Sequence, residues 1–253
     1  MAKAVIFALL WVILTSPAHA QSPCFPLEHD TRTYTACTLS LSEFDISLHW
    51  QAPDGVLIGH PTRLHTMLNE AAKDVALITN GGMYHADRTP VGLFVEEGIE
   101  QTPLVRGEGP GNFQLLPNGV FFLDEGVARI LETEAFAEAG AAPDLATQSG
   151  PMLVIDGALH PAFRKASESV YRRSGVGVSD DGQTVWIVIS EEPVNFFSFA
   201  SVFRDGLGLD NALYLDGKVS RLDVPGDARR EFGLAMGPIL AATHKPKVED
   251  APE

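Results

Sequence analysis

Basic residues are scarce in this chain: 18 Lys and Arg stand against 33 Asp and Glu in 253 residues, a formal charge of −15. That balance disfavours a polyanion-binding surface and makes nucleic acid a poor partner, while leaving room for one phosphate in a local basic pocket. Cysteine is scarcer still. Cys24 and Cys37 are the two present; without nearby ligand spacing they make a poor metal site, and in an exported chain they read as one structural disulfide. Histidines show no metal-ligand spacing, which argues against a zinc centre. Beyond Leu14 there is no long apolar run, and a spanning helix needs about 20 such residues. No internal repeat occurs, and no linker is long enough to divide the chain.

The exception to this polar economy is the beginning. Lys3 precedes an apolar run from Ala4 to Leu14, then Thr15-Ser16-Pro17 and the small-residue pattern Ala18-His19-Ala20. A basic start, a short apolar stretch and an A-x-A exit describe a secretory signal peptide over residues 1–20, with cleavage expected after Ala20. The eleven apolar residues fall short of a membrane anchor. The mature chain is therefore expected to be soluble and exported, periplasmic or secreted. Losing Lys3 leaves 17 basic against 33 acidic residues, a charge of −16. Cys24 lacks the small-residue run of a lipid acceptor. Residues 21–244 are expected to form one domain, and the polar, Pro-containing tail 245–253 to lack order.

Alternation over Phe44–Trp50 predicts a half-buried strand. Leu64, Met67, Leu68, Ala71 and Ala72 fall at helical spacing over Thr62–Lys73, with Thr62 as N-cap after Pro61. Val75–Ile78 reads as a buried strand, followed by paired strands around Val91–Val95 and Phe113–Leu123, the latter turning at Asn118-Gly119. Asp156-Gly157 and Asp181-Gly182 read as turns, Val185–Ile189 as a central strand and Ala212–Leu215 as another. Asn195 reads as the cap of a helix through Leu207, with Phe196, Phe199, Ala200, Phe203 and Leu207 on one face. Many hairpins and a few packed helices predict an α+β domain with a largely antiparallel or mixed sheet, not a βαβ alternation.

Four glycine-bearing polar signatures punctuate these runs. They are Thr79–Tyr84 (TNGGMY), Gln148–Pro151 (QSGP), Arg172–Val178 (RRSGVGV) and Tyr214–Ser220 (YLDGKVS). Each lies at the edge of a strand-like run, where a polar side chain and bare backbone reach a ligand together. Four in order point to a site assembled from several strand ends.

In this order the signatures resemble the phosphodiester glycosidase family, in particular its bacterial exported branch. The likeness runs from about Leu77 to Pro238. It is carried by Asn80-Gly81-Gly82, Arg88–Gly92 (RTPVG), Ser149-Gly150-Pro151, Arg173–Val178, and Leu215-Asp216-Gly217 with Ser220. Two departures stand out. The family commonly has a glycine run after the Asp-Gly step, where this chain has Lys218 and Val219, and Met83-Tyr84 replaces an aromatic pair after Asn-Gly-Gly.

The resemblance implies hydrolysis of a sugar-1-phosphodiester on a small molecule or glycan, with no obligate cofactor and no metal. A departing phosphate is a weak base, so such a site must neutralise charge, present a carboxylate to an oxocarbenium-like carbon and place water. Arg173 is then the residue for the phosphate, its guanidinium fork suiting phosphate oxygens. Asp216 is the nucleophile, base or electrostatic stabiliser, and Asn80 orients sugar or phosphate. Backbone at Gly81, Gly82 and Gly150 is expected to help bind the anion, with Ser149, Gly217, Ser220 and His85 as further substrate contacts. From the residues alone Asp216-Gly217 reads as a hairpin turn, His85 equally as a loop histidine, and Arg172 as a solvated partner of Arg173. Ser149 lacks a G-x-S-x-G elbow. His160 is a further possible acid or base, Glu191 or Glu192 a possible second carboxylate, and the phenylalanines at 196–203 read as core. Two rivals stand beside this reading. One is a noncatalytic envelope protein holding a sugar phosphate or glycan; the other is a metal-assisted phosphodiesterase attacking phosphorus.

Overall fold

β-Branched and aromatic residues, alternating with polar ones or running together, make strands the dominant element. The computed structural model describes residues 22–226 and 233–246; the expected signal peptide and residues 247–253 of the expected tail lie outside them. The first strands are β1 (Cys24–His29), β2 (Arg32–Ser40) and β3 (Phe44–His49), followed by helix α1 (Pro61–Glu70) and β4 (Asp74–Asn80). Next come β5 (Phe94–Glu96), β6 (Ile99–Thr102), β7 (Gly119–Asp124), β8 (Val127–Glu132) and helix α2 (Thr133–Ala139). β9 (Leu145–Ser149), β10 (Met152–Ile155), β11 (Ala158–Leu159), β12 (Ser174–Val178) and β13 (Thr184–Ser190) lead to helix α3 (Phe196–Ser201). A π-helical turn, Val202–Gly206, extends α3 before β14 (Asn211–Asp216), β15 (Leu222–Asp223) and β16 (Ile239–His244).

These strands form three sheets, ordered β1-β2-β13-β12-β14-β10-β11, β15-β4-β16-β3 and β6-β5-β9-β7-β8. Every pairing among the described residues is antiparallel. The fold is thus mixed α+β in one domain. One face of each sheet meets a shared core: Val185, Ile187, Ile189, Leu213 and Leu215 from the first, Leu48, Leu77 and Leu240 from the second, Phe94 and Phe121 from the third. Each outer face has its own cover. Val188, Ala212 and Tyr214 pack under Phe199 and Phe203 of α3 and its extension, Val75 and Ile78 under Leu64 of α1, and Val120 and Phe122 under Phe136 of α2. Two-sided burial explains why β13 and β14 read as near-continuous apolar runs. Each fully buried Ile or Leu contributes about 1.5–3 kcal/mol of transfer free energy.

Several local expectations are corrected. Helix α1 begins one residue earlier than Thr62, with His60 at the cap position and Pro61 in the first turn, where its missing N–H costs nothing. It stops at Glu70, because Ala71 caps it and Ala72 turns to φ 56°. Asn118-Gly119 is not a hairpin turn. The Asn118 amide donates to Phe113 O and accepts from Thr133 Oγ1, and the hairpin between β7 and β8 turns at Glu125-Gly126, both at positive φ. The strand expected at Val91–Val95 forms only from Phe94, since Val91 N donates to Met83 O. Asp156-Gly157 is the turn expected, with φ of 46° and 77° between paired Ile155 and Ala158. Asn195 caps α3 as read, its side chain accepting from Ser198 N at 2.9 Å. Cys24 and Cys37 face each other across β1 and β2 and are joined as a disulfide.

Candidate active site

The ends of β4, β9 and β14 and the start of β12 meet at one corner, and they carry the four signatures. Asn80 ends β4, Ser149 ends β9, Arg173 precedes β12, and Asp216 ends β14 opposite Ser174. Asn80 is wholly buried; its Nδ2 donates to Val219 O at 2.6 Å and lies 3.4 Å from Asp216 Oδ2. Its Oδ1 accepts from Arg221 N at 2.7 Å. An amide suits this position because it donates to one loop residue while accepting from another.

Asp216 is 8 % exposed. Its Oδ1 accepts from the N–H groups of Gly217 (2.5 Å), Lys218 (2.7 Å) and Val219 (3.4 Å). These three N–H groups form a concavity filled by the protein's own carboxylate, at a different place from the Gly81, Gly82 and Gly150 backbone expected to hold an anion. Oδ2 touches Asn80 alone among the described residues. Burial pushes the carboxyl above its ordinary value; the Lys218, Gly217 and Val219 N–H groups and the Lys218 charge oppose the shift without cancelling it. The carboxyl has one oxygen fixed and one nearly idle.

On the far side of the Asp216 turn lies Arg173, 0 % exposed. Nε donates to Val194 O (2.8 Å), Nη2 to Ser169 O (3.0 Å) and Nη1 to the Tyr214 hydroxyl (3.3 Å). The guanidinium stacks 3.7 Å above the Phe196 ring. Burial lowers its proton affinity, and the Tyr214 hydroxyl acts in the opposite sense. Gly217 closes the gap to Asp216: a Cβ there would lie 1.8 Å from the Tyr214 hydroxyl oxygen and 3.6 Å from Arg173 Nη1. Ser220 Oγ ties the loop down, 2.8 Å from Asp216 O and 2.9 Å from Arg172 O. Ser149 Oγ donates to Leu215 O at 3.5 Å, one residue ahead of the carboxylate.

Comparison with known proteins bears on this arrangement. The family model for phosphodiester glycosidase matches residues 73–224, a stretch that holds every residue of the cluster. The chain belongs to the phosphodiester glycosidase family. It is 31 % identical over 204 residues to the uncharacterised protein YigE of Escherichia coli (strain K12), covering 80 % of this chain and 78 % of that one. Among solved structures it resembles the zebrafish N-acetylglucosamine-1-phosphodiester α-N-acetylglucosaminidase catalytic domain, auto-inhibited by its pro-peptide: TM-score 0.55, 14 % identity, 88 % of this chain and 82 % of that one. A putative exported protein of Burkholderia pseudomallei K96243 follows with TM-score 0.51, 13 % identity, and 85 % and 74 % coverage. At such identities the likeness speaks for the fold.

Within this phosphodiester glycosidase domain other expected residues sit differently. Gly81 is explained by packing, since its N–H donates to Pro238 O and a Cβ would lie 2.8 Å from the Ile239 backbone. Gly82 adopts φ 145°, and a Cβ there would meet Thr147 Oγ1 at 2.5 Å. Gly150 lies against Phe113 O and Asn118. His85 is exposed on the loop before Pro90, its backbone bonded to Thr89 and Arg88. Glu191 is committed to Thr35, 2.5 Å away, with Arg172 at 3.9 Å, and Glu192 is exposed. His160 is buried in a stack with Phe163, which in turn stacks on Phe196; burial pushes its pKa down. Phe196 thus offers its face to Arg173, not to a sugar.

The signatures contain Tyr84 and Tyr214 without giving either a role, and Arg221 falls outside them. Burial raises the Tyr84 hydroxyl to about 12, with the Asp216 charge adding and Arg88 and Arg221 opposing. The Arg88 guanidinium lies 5.1 Å over the Tyr84 ring, while Asp87 bonds Thr89. Tyr214 was legible only as an apolar member of β14.

Proposed function

We propose that this protein is a hydrolase cleaving the glycosidic bond of a sugar-1-phosphodiester. The observation that carries the reading is the buried Asp216 carboxylate, held through Oδ1 by three backbone N–H groups and leaving Oδ2 to Asn80. Family membership supports the reaction class, and the substrate named for the zebrafish enzyme suggests the ligand type. Ordinary glycosidases use two carboxylates, one of them to protonate a basic leaving group. A phosphate monoester leaves without that help. No second carboxylate bonds to Asp216 or Asn80 among the described residues, which suits a substrate that brings a good leaving group. In the reaction the C1–O bond breaks, water supplies hydroxyl to C1 and releases its remaining proton to solvent, and the phosphate monoester departs with the electron pair. Asp216 faces the developing positive charge at C1, Asn80 holds it in register, and Arg173 adds a positive field through the Tyr214 hydroxyl.

Export is part of the same proposal, supported by Lys3, the Ala4–Leu14 run, Ala18-His19-Ala20 and a disulfide suited to an oxidising compartment.

Hydrolysis of sugar-1-phosphodiesters in ¹⁸O-labelled water tests the reading. Label is expected in the sugar, and label in the phosphate would mean attack at phosphorus and sink it. Asp216→Asn should abolish turnover while the sugar phosphate still binds; a wild-type chain that binds but never turns over would make the protein a binder.

A further inference from the structure

Arg173 has the right charge for a phosphate but little to offer directly, since three of its donors are spent on Val194, Ser169 and Tyr214. A second arginine stands across Asp216 from it. Arg221 directly follows Ser220, and its backbone is fastened to the end of β4: N donates to Asn80 Oδ1 at 2.7 Å, and O accepts from Thr79 Oγ1 at 2.7 Å. The residue is 5 % exposed. Its Nη1 is buried and has no hydrogen-bond partner, and no carboxylate forms an ion pair with it among the described residues.

A buried guanidinium with an idle N–H is costly unless something else satisfies it. The backbone of Gly233 passes close to it: a Cβ there would lie 2.0 Å from Arg221 Nη2, and Gly233 itself is exposed. The guanidinium therefore lies just under an exposed backbone segment. Asn80 joins the Arg221 backbone to the carboxylate: Arg221 N–H bonds one end of that amide, and the other end lies 3.4 Å from Asp216 Oδ2. Arg88, packed on Tyr84, adds a second positive charge on the same side.

We propose that Arg221 is a substrate-binding residue that takes a phosphate oxyanion directly, its idle Nη1–H meeting one oxygen, with Arg173 supporting from behind Tyr214. Identifying that oxyanion with the phosphate of a glycosyl phosphodiester rests on the function proposed above. An arginine fork supplies directed donors that a lysine point charge does not.

Titration of the full chain with inorganic phosphate by isothermal calorimetry tests the oxyanion site without any turnover. Wild type is expected to bind, Arg221→Gln to bind roughly 10- to 100-fold more weakly, as for a lost charge-assisted contact, and Arg221→Lys to fall between. If Arg221→Gln does not fold, Arg221→Lys carries the test, with several-fold weaker binding at unchanged Tm as the expected result. Absence of phosphate binding by wild type, or equal affinity in the variants, overturns the assignment and leaves Arg221 a packing residue. KM for a sugar-1-phosphodiester separates the two proposals. Turnover with KM unmoved by Arg221→Lys removes the arginine's role and keeps the reaction. Phosphate binding that depends on Arg221 without any turnover keeps the oxyanion site and removes the reaction.

Discussion

Gly217→Ala should cost this protein both stability and activity through a single clash. The new methyl would lie 1.8 Å from the Tyr214 hydroxyl oxygen and 3.1 Å from Tyr214 Cζ. Non-bonded heavy atoms settle near roughly 3.5 Å, so the hydroxyl or the loop must retreat by more than about 1 Å. Tyr214 is 1 % exposed and its ring meets Phe196 edge-on at 4.8 Å, so little room exists for a swing. Retreat breaks the 3.3 Å bond from Arg173 Nη1. Overpacking costs about 1–3 kcal/mol and a lost bond to a charged group about 1.5–3 kcal/mol, together about 2.5–6 kcal/mol.

The attribution is checked by a double-mutant cycle under urea denaturation. Tyr214→Phe alone loses the bond, about 1.5–3 kcal/mol. In Gly217→Ala/Tyr214→Phe the colliding oxygen is gone, so the pair should be little less stable than Tyr214→Phe. That requires a coupling of about 2 kcal/mol or more, where independent sites add to within about 0.5 kcal/mol. Additive single effects would refute the contact between Gly217 and the Tyr214 hydroxyl, and with it the path from Arg173 to the Asp216 turn.

Two further outcomes follow from the same geometry. Burial raises the Asp216 pKa from its ordinary 3.8, so between 3.8 and the raised value the folded state holds a proton that the unfolded chain has released. Stability therefore falls as pH rises through that window, and Asp216→Asn should remove this part of the slope; an unchanged slope in pH-resolved denaturation would contradict the burial argument. Cys24 and Cys37, 13 residues apart, close a short loop, and Cys24→Ala/Cys37→Ala should cost about 2–3 kcal/mol. Equal Tm for wild type and variant would mean the hairpin of β1 and β2 needs no cross-link.

Much of the fold was legible because period and turn chemistry agree locally. Val185–Ile189 and Ala212–Leu215 are apolar on both faces, and both are strands covered on two sides. Failures came where a side chain was drawn into tertiary contacts. Asn118-Gly119 has turn composition, yet Asn118 is 2 % exposed and bonded to Phe113 and Thr133. Conversely, Glu97-Gly98 and Glu125-Gly126 turn tight hairpins at positive φ, although glutamate is no sequence signal for that region. In the candidate site, Asn80 and Asp216 stood out because their glycine neighbours marked them. Tyr214 did not, since one residue inside an apolar strand gives no hint that its hydroxyl ends at Arg173. Arg221 was hidden for a different reason: only the pairing of β15 with β4 brings it beside Asn80.

Asp216-Gly217 makes no hairpin, since β14 pairs with β10 and β12 while the next strand, β15, pairs with β4; the aspartate instead organises the loop that leaves β14. Turn-making occupies Oδ1, which gathers the N–H groups of Gly217, Lys218 and Val219. That same gathering fixes the carboxyl plane and leaves Oδ2 in a buried setting, with Asn80 its one hydrogen-bond partner among the described residues. A freely solvated aspartate would have an ordinary pKa and several orientations. Here the turn removes the orientations and burial raises the pKa. Substituting Lys218 and Val219 for the family's glycines is compatible with this geometry, because what the turn requires of those positions is their N–H groups. Their side chains are left unconstrained by the turn: Lys218 is exposed, and Val219 packs against the cluster of Leu64, Ile78 and Ile239 that Tyr84 also meets.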